Sequence, residues 1–201
     1  MKRIILSLAV ILAAGFTQIS AQSVTSGVKA DLNISNFILK DLDHMDSKMK
    51  VGASLGGFVK IEFTQNFAIQ PELLFHFKSS EIKNNSTRPK TKSDYEYWGM
   101  EIPVYAVGQM QLGLGTGYVG IGPYVGLGFS AKSSPGSSDL YKRDVLQRWD
   151  FGFGAMLGYE FDFGLQINAG YKIGVINAMD EGSDDAKMLP QMISVGFGYR
   201  F

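Results

Sequence analysis

The chain has no cysteine, so it can be neither stapled by disulfides nor carried as a thiol-anchored lipoprotein. Its only histidines are His44 and His76, which leaves acid–base and metal chemistry few places to start. Neither sign of charge is in excess: 19 basic residues stand against 19 acidic ones, without a basic patch or stripe. That balance gives no reason to expect a nucleic-acid partner. Beyond residue 21 no stretch reads as a long amphipathic helix or as an apolar run long enough to span a bilayer as one. Any contact with a membrane after that point must be made by strands.

What is present begins with a leader. Met1-Lys2-Arg3 is a short positive region, residues 4–16 are apolar apart from Ser7 and Gly15, and Ala21-Gln22 offers a small residue for cleavage. Residues 1–21 therefore read as a secretory signal peptide, and residues 22–201 as one β-barrel domain. Without Lys2 and Arg3 the balance becomes 17 basic against 19 acidic residues. The opposite end is just as telling. Residues 193–201, ISVGFGYRF, alternate bulky apolar with small or polar residues and stop on an aromatic. Such alternation is a strand with two unlike faces, and a chain end this apolar must be covered by something.

Eight segments alternate in this way: 24–38, 51–63, 67–81, 95–109, 116–132, 148–161, 165–179 and 189–201. Short connections at 64–66, 110–115 and 162–164 take turns with longer polar ones at 39–50, 82–94, 133–147 and 180–188. The pattern predicts an all-β fold, an eight-stranded antiparallel up-and-down transmembrane β-barrel with short periplasmic turns and long outer loops. An even strand number puts both mature termini on the periplasmic side. On the sixth segment Trp149, Phe151, Phe153, Leu157, Tyr159 and Phe161 share one face, against Asp150, Gly152, Gly154, Met156, Gly158 and Glu160. A soluble calyx has the same period, but its outer face would carry more Lys, Glu and Thr and far less than this share of the 24 glycines. Aromatics fall at two levels, with Phe63, Phe67, Phe161, Phe163, Tyr199 and Phe201 toward the periplasm and Tyr95, Tyr97, Trp98 and Trp149 toward the outside. Pro71, Pro103 and Pro123 lie within strands and should mark bulges or local breaks in pairing.

The inward face holds the chemistry. Lys29, Lys60, Lys78, Lys172 and Arg200 oppose Asp31, Glu62, Glu72, Glu101, Asp150 and Glu160. An eight-stranded barrel has room for side chains but not for a diffusing solute, so these charges are expected to fill the lumen as a paired network. A proton or ion path is the competing reading, and the narrow bore of eight strands argues against a porin. His44, with Asp41, Asp43 and Asp46 beside it, invites a metal reading but fits no defined ligand spacing. His76 is expected among the network, near Lys78. No serine and histidine share an evident surface for hydrolysis. Gly113-Leu114-Gly115-Thr116-Gly117 only superficially resembles a phosphate loop, because no helix follows it. The basic run 83–92 and the acidic run 180–185 are solvated loops that can meet lipopolysaccharide, a cation or a protein. No catalytic, cofactor-binding or metal residue is assigned.

Several motifs together resemble the PorT-like outer-membrane β-barrel proteins of Bacteroidetes. They are residues 27–36 (GVKADLNISN), Gln70-Pro71-Glu72-Leu73-Leu74-Phe75, Met100-Glu101-Ile102-Pro103-Val104, Gly122-Pro123-Tyr124, Asp150-Phe151-Gly152-Phe153-Gly154 and Gly196-Phe197-Gly198-Tyr199-Arg200-Phe201. Asp31 stands where that family's first-strand motif has glycine, and adds a charge to the lumen. The resemblance implies an outer-membrane barrel of eight strands, and recognition of Phe201 by barrel-assembly machinery during biogenesis. It implies no single activity, although the namesake is associated with type IX protein secretion. The reading is a non-enzymatic barrel with a structural or interaction role in the envelope, in contact with outer-membrane lipid, lipopolysaccharide and envelope proteins. A small barrel enzyme acting on lipid or lipopolysaccharide is the alternative.

Overall fold

The structure is a computed structural model and describes residues 23–40, 45–84, 91–134, 148–175 and 187–201. Side chains are described over 23–35, 51–77, 97–130, 148–175 and 189–201. The expected leader at 1–21 and residues 41–44, 85–90, 135–147 and 176–186 lie outside these residues.

Eight strands follow one another: β1 Ser23–Lys40, β2 Met45–Thr64, β3 Phe67–Asn84, β4 Thr91–Gln111, β5 Gly115–Ser134, β6 Trp149–Phe161, β7 Leu165–Gly174 and β8 Lys187–Arg200. Each pairs antiparallel with its sequence neighbours, and β8 closes on β1 to complete the barrel. Closure runs from Gly27 opposite Arg200 to Lys40 opposite Lys187, and the Phe201 N–H donates to the Ser26 carbonyl at 2.8 Å. The apolar C-terminal strand thus leaves no open edge.

Strand ends differ from the sequence expectation. Much of 39–50 and 82–94, expected as loop, is ladder: β1 reaches Lys40, β2 begins at Met45, β3 reaches Asn84 and β4 begins at Thr91. The ladder can continue where both faces meet water, because backbone groups still pair although nothing requires alternate residues to be apolar. Alternation therefore marks the lipid-covered part of a strand and misses its extension. β7 ends at Gly174, before Val175, and its expected continuation over 176–179 lies outside the described residues.

Pro71, Pro103 and Pro123 each sit at a gap in the pairing with the strand before it. Pairing of β2 with β3 skips from Phe58–Glu72 to Ile61–Ile69 around Pro71. β3 with β4 skips from Pro71–Val104 to Leu74–Glu101 around Pro103, and β4 with β5 skips from Pro103–Tyr124 to Ala106–Ile121 around Pro123. A missing N–H removes the ladder bond while the register on either side stays the same.

The turns at one end are tight. Gly113 and Gly164 take positive φ, 65° and 95°, where a side chain would be strained. The glycine series 113–117 is the β4–β5 turn and the start of β5, a barrel segment and not a phosphate loop.

The faces separate cleanly. Val28, Leu32, Phe75, Val119, Ile121, Phe153, Leu157, Val195 and Phe197 are exposed on the outer wall, while the residues alternating with them are mostly buried inside. Ring pairs gather near the tight turns: Phe63 with Phe67 at 6.0 Å, Tyr159 with Phe161 at 4.9 Å and Tyr199 with Phe201 at 5.8 Å. At the other end Trp98 and Trp149 are exposed on the wall. Tyr97 lies on the face opposite Trp98 and is half-buried, so it does not belong to the outer ring of aromatics.

A packed, charged lumen as the candidate functional site

Alternation brings one residue in two to the interior, and the closed curvature makes residues from non-adjacent strands neighbours. Lys29 on β1 faces Gly56 across the ladder. Because Gly56 has no side chain, the Lys29 ammonium passes over β2 and donates to Glu72 on β3 at 3.2 Å. It also lies 3.8 Å from Asp31, and Gln70 donates to Glu72 at 2.9 Å. Lys172 on β7 reaches across the lumen to pair with Glu101 on β4. These carboxylates and ammoniums are all buried. They make up the deeper charged cluster of the lumen.

A second cluster sits nearer the tight turns. Glu160 receives Arg200 at 2.6 Å, Lys60 at 3.6 Å and a hydrogen bond from Gln166 at 2.6 Å. Lys60 also lies 3.9 Å from Glu62, which accepts a hydrogen bond from Gln109 at 2.8 Å. Elsewhere along the lumen the Tyr124 hydroxyl donates to Asp150 at 3.2 Å. Ten of the eleven charges expected inside are therefore seen there; the side chain of Lys78 lies outside the described residues.

Between the charges runs an apolar filling that the sequence reading did not assign. Tyr105, Tyr118, Met156, Ala68 and Val107 form a buried cluster within the barrel. Tyrosines occupy the space that glycines leave: a Cβ at Gly152 would meet the Tyr124 ring at 2.6 Å, one at Gly154 would meet the Tyr105 hydroxyl at 3.0 Å, and one at Gly158 would strike Tyr118. Lys60 and Lys172 lie over the Tyr118 and Tyr124 rings, at 5.8 and 5.9 Å from the centroids. A strict period of two through β4 and β5 places Glu101, Tyr105, Val107, Tyr118 and Tyr124 on the inner face. That signal was available in the sequence.

The sequence reading found no serine and histidine on a shared surface, and here the structure differs. Ser54 and His76 are direct register partners on the inner face, and Asp31 faces Ser54 from the other side. The order along this row is wrong for a hydrolytic triad, in which histidine must lie between the acid and the nucleophile. Ser54 is in the middle instead. Its hydroxyl donates to Asp31 at 3.4 Å and accepts from the Asn33 amide at 3.3 Å. With the Ser54 hydroxyl donating to Asp31, the row ties β1 to β2 and departs from the order of a triad. Among the described residues no group of three or more acidic, histidine or cysteine side chains is placed to hold a metal. His44, Asp41 and Asp43 lie outside those residues, as do the Asp46 side chain and most of the charged runs at 83–92 and 180–185.

An eight-stranded closed barrel that is apolar outside and packed with paired charges and tyrosines inside defines a membrane-spanning barrel of the outer-membrane type. The chain belongs to the outer membrane protein beta-barrel domain family, whose model matches residues 6–201. It is an outer membrane β-barrel protein.

Two solved structures have the same fold. The outer membrane protein OprG of Pseudomonas aeruginosa is 13% identical, with a TM-score of 0.57 over 90% of this chain and 97% of that one. Neisserial surface protein A is 16% identical, with a TM-score of 0.53 over 90% of this chain and 100% of that one. No curated protein matches in sequence.

Proposed function

We propose that this protein is a non-enzymatic, closed barrel with a structural or interaction role in the envelope, and that its exposed ends make its contacts. One observation carries the reading. The lumen is crossed by Lys172–Glu101 and Lys60–Glu160, Lys29–Glu72 lies along its wall, and tyrosines pack between the charges. Opening a path for solute would require separating buried ion pairs, and breaking one such pair costs several kcal/mol. The resemblance to PorT-like barrels of Bacteroidetes extends the proposal to a type IX secretion-related assembly. In that setting the leader is removed on export, both mature termini face the periplasm and lipopolysaccharide covers the outer wall. Barrel-assembly machinery then reads the C-terminal strand.

Planar-bilayer recordings of the refolded protein should show no sustained large conductance steps. Stable stepwise channels would overturn the closed-lumen reading. Affinity capture from detergent-solubilised outer membrane should recover the same envelope proteins repeatedly, and a bare barrel in every preparation would remove the assembly role. The enzyme alternative draws on His76, His44 and nearby serines, of which Ser54 and His76 are register partners. Unchanged lipid A after substitution of His76, His44 and Ser54 would dismiss it, and an altered profile would favour it.

A further inference from the structure

The rim at the tight turns is not uniform around the barrel. At the β2–β3 turn the tip is polar, and Thr64, Gln65 and Asn66 are all exposed. The Asn66 side chain donates back to the Gln109 carbonyl at 3.0 Å. Two and four strands further round, the tips are Leu112-Gly113-Leu114 and Asp162-Phe163-Gly164. Leu114 is 81% exposed, Phe163 65% and Leu112 48%. Turn tips that face water favour Gly, Asn, Asp and Ser, so three large apolar side chains here run against the local rule.

These tips are not loose. The Asp162 N–H donates to the Leu114 carbonyl at 3.2 Å and the Tyr159 hydroxyl to the Leu112 carbonyl at 2.6 Å, which ties the two turns together. Phe163 stacks on Phe161 at 5.4 Å, and Phe161 meets Tyr159 on the wall below. On the last strand Phe201, 70% exposed, continues the series beside Tyr199. The apolar wall therefore passes over the rim at both of these turns and at Phe201, interrupted by the exposed Gln111 and Asp162, and stops at Phe63 and Phe67 beneath a polar tip at β2–β3. Continuity with the lipid-facing wall identifies what covers the tips.

We propose that the arc Leu112, Leu114, Phe163 and Phe201 is a membrane-insertion surface that takes the interfacial layer of the bilayer as its partner. Embedding one side of the rim and not the other tilts the barrel, with the β4–β8 side deeper than the β2–β3 turn. The inference needs only a barrel in a bilayer; it stands whether or not the envelope role proposed above is right.

The absence of native cysteine makes the test direct. Leu114→Cys, Phe163→Cys and Gln65→Cys, each carrying a nitroxide, are refolded into phosphatidylcholine vesicles and checked for folding by heat-modifiable gel mobility. Collision with oxygen, which concentrates in lipid, is compared with collision with a water-soluble nickel chelate. The oxygen-to-nickel ratio should be several-fold higher at 114 and 163 than at 65. Equal ratios at the three positions would overturn the proposal, because the tips would then share the same water. Protection of 114 and 163 from both reagents would also overturn it, since protein and not lipid would then cover them.

Discussion

The two charged clusters in the lumen are built from the same residue types but sit in different surroundings. In the deeper cluster the side chains of Lys29, Asp31, Glu72, Glu101 and Lys172 are between 0% and 9% exposed. At the rim cluster Lys60 and Glu160 are equally covered, but Glu62 is 26% and Arg200 29% exposed. The deeper cluster has two cations for three carboxylates, whereas the rim cluster is balanced at two and two. Burial decides what each pair is worth. A covered pair separated by mutation leaves a charge without solvent, and a pair open to water loses little because water replaces the partner. The deeper cluster should be the structural lock of the barrel, and the rim cluster its wet margin.

The largest effect should come from removing one member of the lock. Glu101→Ala strands the Lys172 ammonium in the lumen, and should destabilise the barrel by about 3–5 kcal/mol, measured as the shift in urea unfolding in lipid vesicles. Glu101→Leu combined with Lys172→Met removes both charges and fills the space. That double variant should recover most of the loss, since an apolar pair of similar volume is often neutral relative to a buried ion pair. A double variant as unstable as the single would mean that Lys172 stabilises through its contacts with the Tyr124 ring and its neighbours, and not through Glu101.

Packing supplies the next contrast. A methyl group at Gly154 would press on the Tyr105 hydroxyl at 3.0 Å and on the Lys172 side chain at 3.2 Å. Tyr105 is 2% exposed, so it has little room to move. Gly154→Ala should cost about 1–3 kcal/mol by overpacking. At the rim, a methyl at Gly117 meets only the end of the Leu112 side chain, which is 48% exposed. That flexible end can swing aside, so Gly117→Ala should cost less than Gly154→Ala in the same unfolding series.

The sequence revealed these regions unevenly. Alternation alone settled which face each strand turns to lipid, and a barrel of eight such strands requires the last to close on the first. It also named the inward charges. Partner choice was hidden, because it depends on register and on which residues in between are glycine. Lys29 finds Glu72 over Gly56, 43 residues away, and Lys172 finds Glu101 across the lumen, 71 residues away. Neither pairing follows from the spacing of charges along the chain. The Ser54–His76 pairing was hidden for the same reason, and so was the acid–serine–histidine order of that row. Tyr105 and Tyr118 were readable in period but masked by chemistry. A reader who expects a polar interior sees the glycines and charges and passes over the aromatic filling that makes the lumen solid. Strand ends were the least readable, because no apolar signal survives where the ladder leaves the lipid.

The smallest expected effect tests the wet margin most directly. Glu62→Ala removes a carboxylate 3.9 Å from Lys60 and the acceptor of the Gln109 amide, but Lys60 keeps Glu160 at 3.6 Å. With water at hand the loss should stay below about 1 kcal/mol. It should also fade with salt, because the screening length falls from about 30 Å at 0.01 M to about 3 Å at 1 M ionic strength. The penalty of Glu101→Ala should be insensitive to salt over the same range, since ions do not enter a lumen packed with tyrosine. Unfolding both variants at low and high salt therefore compares the two clusters in one experiment. A salt-insensitive and equally large loss at Glu62 would mean that the rim excludes water as thoroughly as the centre. The seal of the lumen would then begin at the tight turns themselves.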